Sequence, residues 1–101
     1  MHPSKVNRTT LMEFTDLPNI GKAAAADYRQ LGYTQVDELK GQDAFVLYQR
    51  LCEISGQRHD PCVIDVFLSV ERFLAGEDPQ AWWHYTAERK ARLRSMDTAS
   101  R

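Results

Sequence analysis

The stretch Leu17–Gly32 constrains the fold of this chain more than any other segment. Pro18 disfavours helix in the residue before it, so a preceding helix must stop near Asp16 or Leu17. Ile20, Ala24, Tyr28 and Leu31 then recur at helical spacing through an alanine-rich run, which predicts a helix from about Lys22 to Leu31. Gly32 follows where a left-handed cap residue is wanted. The chain must turn tightly at 17–21 and begin a helix at once. A helix start of this kind leaves several backbone N–H groups without intrahelical partners, with the positive end of the helix dipole behind them. A phosphate oxygen can accept from two such donors without any base being read. A side chain at Gly21 would block that approach or demand an unfavourable backbone angle. Asn19 is the residue after glycine most tolerant of positive φ.

The rest of the chain also reads as helix. Thr10-Leu11-Met12-Glu13 and Thr34-Gln35-Val36-Asp37 have the form of capping boxes, and Gly41 closes the second segment. Asp43 is an N-cap for a helix with Ala44, Leu47, Tyr48 and Leu51 on one face. Asp60-Pro61 starts another, whose Val63, Val66, Phe67, Val70, Phe73 and Leu74 form the strongest periodicity in the sequence. Asp78-Pro79 repeats that start signal for a last helix carrying Trp82, Trp83 and Tyr85. No segment reads as a strand. The expected fold is all-α, a compact bundle of five to six short helices. Its expected bounds are a flexible N-terminus at 1–9, one domain at 10–94 and a disordered tail at 95–101.

The turn itself, a hydrophobe, Pro, a small or polar residue, an aliphatic, Gly and then alanines, resembles the helix-hairpin-helix motif. The helix–Gly–helix pattern in 35–55 looks like a second, degenerate hairpin. The resemblance implies sequence-independent phosphate binding through the N–H groups of Asn19, Gly21 and Ala23, with Lys22 adding charge. It also implies a small residue at Ala25 for close helix packing. Some motifs of this kind hold a monovalent cation on turn carbonyls, which correspond here to Thr15, Leu17 and Ile20. No other cofactor is expected.

Charge matters because such a partner is an anion. The net charge of −1 hides a division along the chain. Residues 1–33 carry 4 basic and 3 acidic groups, 34–80 carry 4 and 9, and 81–101 carry 5 and 2. The acidic middle repels nucleic acid, so contact belongs to the ends. Arg89, Lys90, Arg92 and Arg94 with Trp82-Trp83 form an aromatic and basic patch suited to stacking and charge, or else a core-covering helix with a solvated end. Adjacent helical positions diverge, so one tryptophan packs inward and the other faces solvent or a partner.

Cys52, His59, Asp60 and Cys62 lie within eleven residues and invite a metal or redox reading. The spacing fits no ordinary zinc pattern, which wants four ligands and commonly a paired-cysteine motif. The plainer reading has both cysteines as small core residues, with His59 and Asp60 organising the turn. Asp16, Asp27, His59 and Asp60 supply acid–base groups, but no spacing pairs them, and no enzyme is expected. The chain has no apolar run long enough to span a membrane and its first residues lack a secretory core, which makes the cytoplasm the expected location.

Taken together, Leu17-Pro18-Asn19-Ile20-Gly21, Gly41-Gln42-Asp43, Leu47-Tyr48, Leu51-Cys52, His59-Asp60-Pro61-Cys62, Val66-Phe67 and Trp82-Trp83 resemble a bacterial family. It is the pathogenicity-locus family, also labelled mitomycin-resistance protein. The likeness covers about residues 14–93. It implies a helix-hairpin-helix domain with DNA or other nucleic acid as partner and no membrane contact. The alternative expectation is a helical protein–protein interaction module in which an exposed tryptophan and the acidic middle meet a protein partner.

Overall fold

The computed structural model describes residues 1–99. It is all-helical, with four α-helices: α1 (Lys22–Gln30), α2 (Ala44–Ser55), α3 (Cys62–Leu74) and α4 (Thr86–Ala99). Single 3-10 turns lie at Pro3–Lys5, Phe14–Asp16, Val36–Leu39 and Trp82–Tyr85, and no strand occurs among the described residues. Four α-helices therefore replace the five to six expected. The segments near Phe14 and Val36 are single turns, each opened by a carboxylate that caps its first N–H groups. Asp16 accepts from the N–H groups of Met12 at 3.0 Å and Glu13 at 2.9 Å. Glu38 accepts from Thr34 and Gln35, both at 2.8 Å. The capping boxes thus start at Glu13 and Gln35, three residues and one residue beyond the expected positions. Pro18 and Gly41 then prevent either turn from growing.

The core is organised around α3. Ile64, Phe67, Leu68, Val70 and Phe73 are buried on it, and Tyr28 of α1 stacks on Phe67 at 4.9 Å between ring centroids. Phe14 closes on the other side of Tyr28 at 5.4 Å. Leu17 and Ile20 are also buried, so the turn that separates them is anchored at both ends by core side chains. Burying an aliphatic side chain of this size stabilises by about 1.5–3 kcal/mol. Packing thus holds both ends of the turn, and the Ile20 N–H donates to Leu17 O at 3.3 Å across it.

The expected caps of α2 and α3 are present. Asp43 Oδ1 accepts from Phe45 N–H at 2.8 Å and Val46 N–H at 3.1 Å, and Glu71 reaches across from α3 to accept from Ala44 N–H at 2.8 Å. Asp60 Oδ1 accepts from Cys62 N–H at 2.8 Å, and this bond holds the Asp60 carboxyl below its ordinary pKa.

The C-terminal helix departs from its sequence signal. It begins at Thr86, not at Asp78-Pro79, because Trp82–Tyr85 packs as a 3-10 turn against α3 and buries Tyr85. It runs to Ala99, so helix continues past Ser95, where a disordered tail was expected. Residues 100–101 of that expected tail lie outside the described residues. The N-terminal nine residues, expected to be flexible, are tied down. The Arg8 guanidinium donates to the carbonyls of Phe73 and Glu77 at the end of α3 and lies 4.0 Å over the Phe73 ring.

One buried polar cluster joins α3 to α4. Asp65 is fully buried and accepts from Arg89 Nε at 2.9 Å and from Thr86 Oγ1 at 2.7 Å. The carboxylate in turn raises the pKa of the guanidinium. Of the two readings of the basic run, a nucleic-acid patch or a core-covering helix with a solvated end, Arg89 fits the second: it is a buried structural cation.

Candidate nucleic-acid interface

The start of α1 differs from those of α2 and α3 in having no side-chain cap. Its N-cap is Gly21, and the bond from Ala25 N–H to Gly21 O at 3.0 Å opens the helix. The N–H groups of Lys22, Ala23 and Ala24 precede that bond, so they have no intrahelical acceptor. Gly21, Lys22 and Ala23 are all exposed. Ala25, one turn further on, is buried against the core as the small residue expected there. The positive end of a nine-residue helix dipole therefore faces solvent beside a lysine.

The turn before it is shaped by Asn19, the one non-glycine residue with positive φ among those described, at 65°. Its side-chain Nδ2 donates to Gln80 O at 2.8 Å, which fixes the turn to the segment leading into Trp82–Tyr85. Its backbone N–H, one of the donors expected for phosphate, instead donates to Met1 O at 2.7 Å. That donor is engaged within the chain. Gly21 is not left-handed: φ is −95° and ψ −169°, extended backbone open to any residue. A Cβ built there meets nothing within 4 Å. The expected backbone penalty for a side chain at Gly21 is therefore corrected. Only the blocking of an incoming ligand remains as a reason for glycine.

Two of the three carbonyls expected to hold a cation do converge. The Met1 ammonium donates to Leu17 O at 3.0 Å and Ile20 O at 2.9 Å, while Thr15 O is not among its acceptors. Burial lowers the pKa of this ammonium, and the nearby Asp16 carboxylate opposes the shift. Two turn carbonyls thus converge on one positive group, the Met1 ammonium.

A groove of about 830 Å³ opens beside the turn, lined among others by Asn19, Gly21, Gln80, Trp82 and Trp83. Trp83 is the exposed member of the pair, at 66%. Sequence placed the tryptophans with the basic run, but the fold places them with the turn. The basic run does not form one patch. Arg89 pairs with Asp65, and Arg92 lies 4.0 Å over the Phe45 ring and 3.9 Å from Asp43. Lys90 and Arg94 remain exposed.

The region between α2 and α3 is structural in its bonding. Cys52 and Cys62 are half-buried free thiols rather than core residues. The His59 N–H donates to Cys52 Sγ at 3.4 Å, and the Tyr48 hydroxyl donates to His59 O. Ser55 Oγ lies 2.8 Å from both Leu51 O and His59 Nε2, which ties His59 to the end of α2. The Asp60 carboxylate raises the pKa of the Cys62 thiol, the opposite of activation. Among the described residues no group of three His, Cys, Asp or Glu side chains is placed to hold a metal ion. No helix there is long and apolar enough to cross a membrane.

The fold and the uncapped turn define a small all-helical domain with its candidate site at one helix start. The chain belongs to the Cdd1 pathogenicity locus family, whose profile matches residues 7–91. It is 37% identical over 81 residues to the mitomycin resistance protein McrB of Streptomyces lavendulae, a match covering 80% of this chain and 77% of that protein. No solved structure matches.

Proposed function

We propose that this domain is a non-catalytic helix-hairpin-helix module that binds nucleic acid, DNA in the first instance, without reading sequence. The observation that carries the reading is the start of α1, exposed and without a side-chain cap next to a turn packed on both sides. The N–H groups of Gly21, Lys22 and Ala23 are the phosphate donors, Lys22 supplies the charge, and Asn19 shapes the turn rather than donating from its backbone. Glycine at 21 lets a phosphate approach the helix axis closely. Contacts of this type position a strand and carry no sequence information. The chain acts in the bacterial cytoplasm, and the name of the Streptomyces lavendulae relative brings a process with it: a share in mitomycin resistance.

Amide chemical shifts followed during titration with a short DNA duplex test the reading. The amides of Gly21, Lys22 and Ala23 should move first and furthest. No shift at 21–23 at low salt would overturn the reading and leave the protein-interaction alternative, which the exposure of Trp83 supports.

A further inference from the structure

The groove beside the turn has features that phosphate binding alone does not use. Trp83 stands 66% exposed on a rigid 3-10 turn and meets Trp82 edge-on, with centroids 5.6 Å apart and planes at 82°. The two indoles brace each other, and both line the groove. The Asn19–Gln80 hydrogen bond couples this aromatic turn to the 17–21 turn, so the indole and the N–H donors of α1 are held in one relation. Among the described residues no carboxylate lines the groove; the nearest along the chain is Asp78, next to Pro79. Trp83 and Gly21, the N-cap of α1, line the same groove together with Met1 and His2, and an indole beside a helix start complements a ligand that joins an aromatic ring to an anion.

We propose that the groove takes an unpaired nucleotide of a single strand, its base stacked on Trp83 and its phosphate on the N–H groups at the start of α1. This rests on the phosphate-binding reading above and narrows its partner from nucleic acid in general to single-stranded segments. In a duplex both faces of each base are covered by its neighbours, so an exposed indole gains nothing from it. In a single strand every base offers a π-face, and stacking on one tryptophan is sequence-tolerant.

The test is fluorescence anisotropy of a labelled twelve-nucleotide oligo-dT and a labelled twelve-base-pair duplex at low salt, with wild type, Trp83→Ala, Trp83→Phe and Lys22→Glu. Trp83 is exposed, so its replacement leaves the core intact, which circular dichroism verifies. Trp83→Ala is expected to weaken oligo-dT binding about 5- to 150-fold and to leave duplex binding within about twofold. Trp83→Phe is expected to keep most of the wild-type affinity. Titration with oligo-dT should quench the tryptophan fluorescence of wild type and the duplex should not. If Lys22→Glu weakens both ligands while Trp83→Ala changes neither, or changes both equally, the stacking proposal fails and the phosphate reading stands. Absence of binding to either ligand by wild type overturns both.

Discussion

The buried pair between Asp65 and Arg89 is the place where one substitution should do most damage to this fold. Asp65 is fully buried, and its two oxygens take bonds from Arg89 Nε at 2.9 Å, Thr86 Oγ1 at 2.7 Å and Arg89 Nη2 at 3.4 Å. The Arg89 side chain is only 11% exposed, so water cannot replace a lost partner. Asp65→Ala leaves a guanidinium buried without its counter-charge, a change that costs about 3–5 kcal/mol. Arg89→Met strands the carboxylate in the same way and should cost about as much. Against a total stability of about 5–15 kcal/mol, the thermal midpoint should fall by about 12 to 40 °C. Replacing both residues, Asp65→Leu with Arg89→Met, removes both charges and fills the space with apolar atoms. That pair should recover most of the loss, because a buried ion pair and its hydrophobic substitute are often close in stability. Urea unfolding monitored by far-ultraviolet circular dichroism measures all four proteins. Single variants that lose less than about 1 kcal/mol, or a double variant whose loss equals the sum of the singles, would refute the claim that the pair holds α4 on α3.

Other expectations follow from the same contacts. Asn19→Ala leaves a β-carbon in the left-handed region without the short polar side chain that eases it there and removes the bond to Gln80, for a cost of about 1.5–3 kcal/mol; Asn19→Gly keeps the backbone angle without strain and should cost only about 0.5–1.5 kcal/mol. Equal losses in thermal unfolding would deny the strain. Arg8→Ala removes two carbonyl bonds at the end of α3 and the stack on Phe73, and should cost about 1–2 kcal/mol; no measurable change would mean the N-terminal segment is not anchored. Backbone N–H bonds, from Glu13 to Asp16, Thr34 to Glu38 and Cys62 to Asp60, hold these three carboxyls below their ordinary pKa values. Their stabilisation is therefore present above the ordinary carboxyl range and lost as pH falls through the depressed values. Burial raises the Asp27 pKa, which works in the opposite sense. The three outnumber the one, so the melting midpoint should drop between about pH 5 and pH 2.5; a flat profile over that interval would contradict these caps.

The helix starts at Asp43 and Asp60 were legible because capping is local, settled by residues two or three apart. The helix at Lys22–Gln30 was legible for the same reason: proline and glycine bound a run of alanine. What the sequence hid was set by contacts across the chain. Nothing near Pro79 says that α4 must wait for Thr86. That start follows from Tyr85 entering the core and from the hydroxyl of Thr86 meeting Asp65, 21 positions away. Asp65 itself interrupts an apolar stripe, and a carboxylate between Ile64 and Val66 was the available sign of a buried partner. At the candidate site, the turn and Gly21 were legible, but the engagement of Asn19 N–H by Met1 was not, since no local pattern joins residues 1 and 19. The neighbourhood of Trp83 and the turn was equally hidden, because it depends on how the 77–81 segment returns past Asn19.

The central claim, a phosphate site at the start of α1, is tested most directly by DNA binding of wild type and of Gly21→Val with Lys22→Glu. An extended φ and open space around Gly21 mean that this variant should fold, so a loss of binding reports the site. Fluorescence anisotropy should show wild-type binding that weakens about 3- to 12-fold between 50 and 200 mM salt, as expected for one or two neutralised phosphates, and no binding by the folded variant. Wild-type affinity retained by that variant, or no binding by wild type at 50 mM salt, would contradict the account.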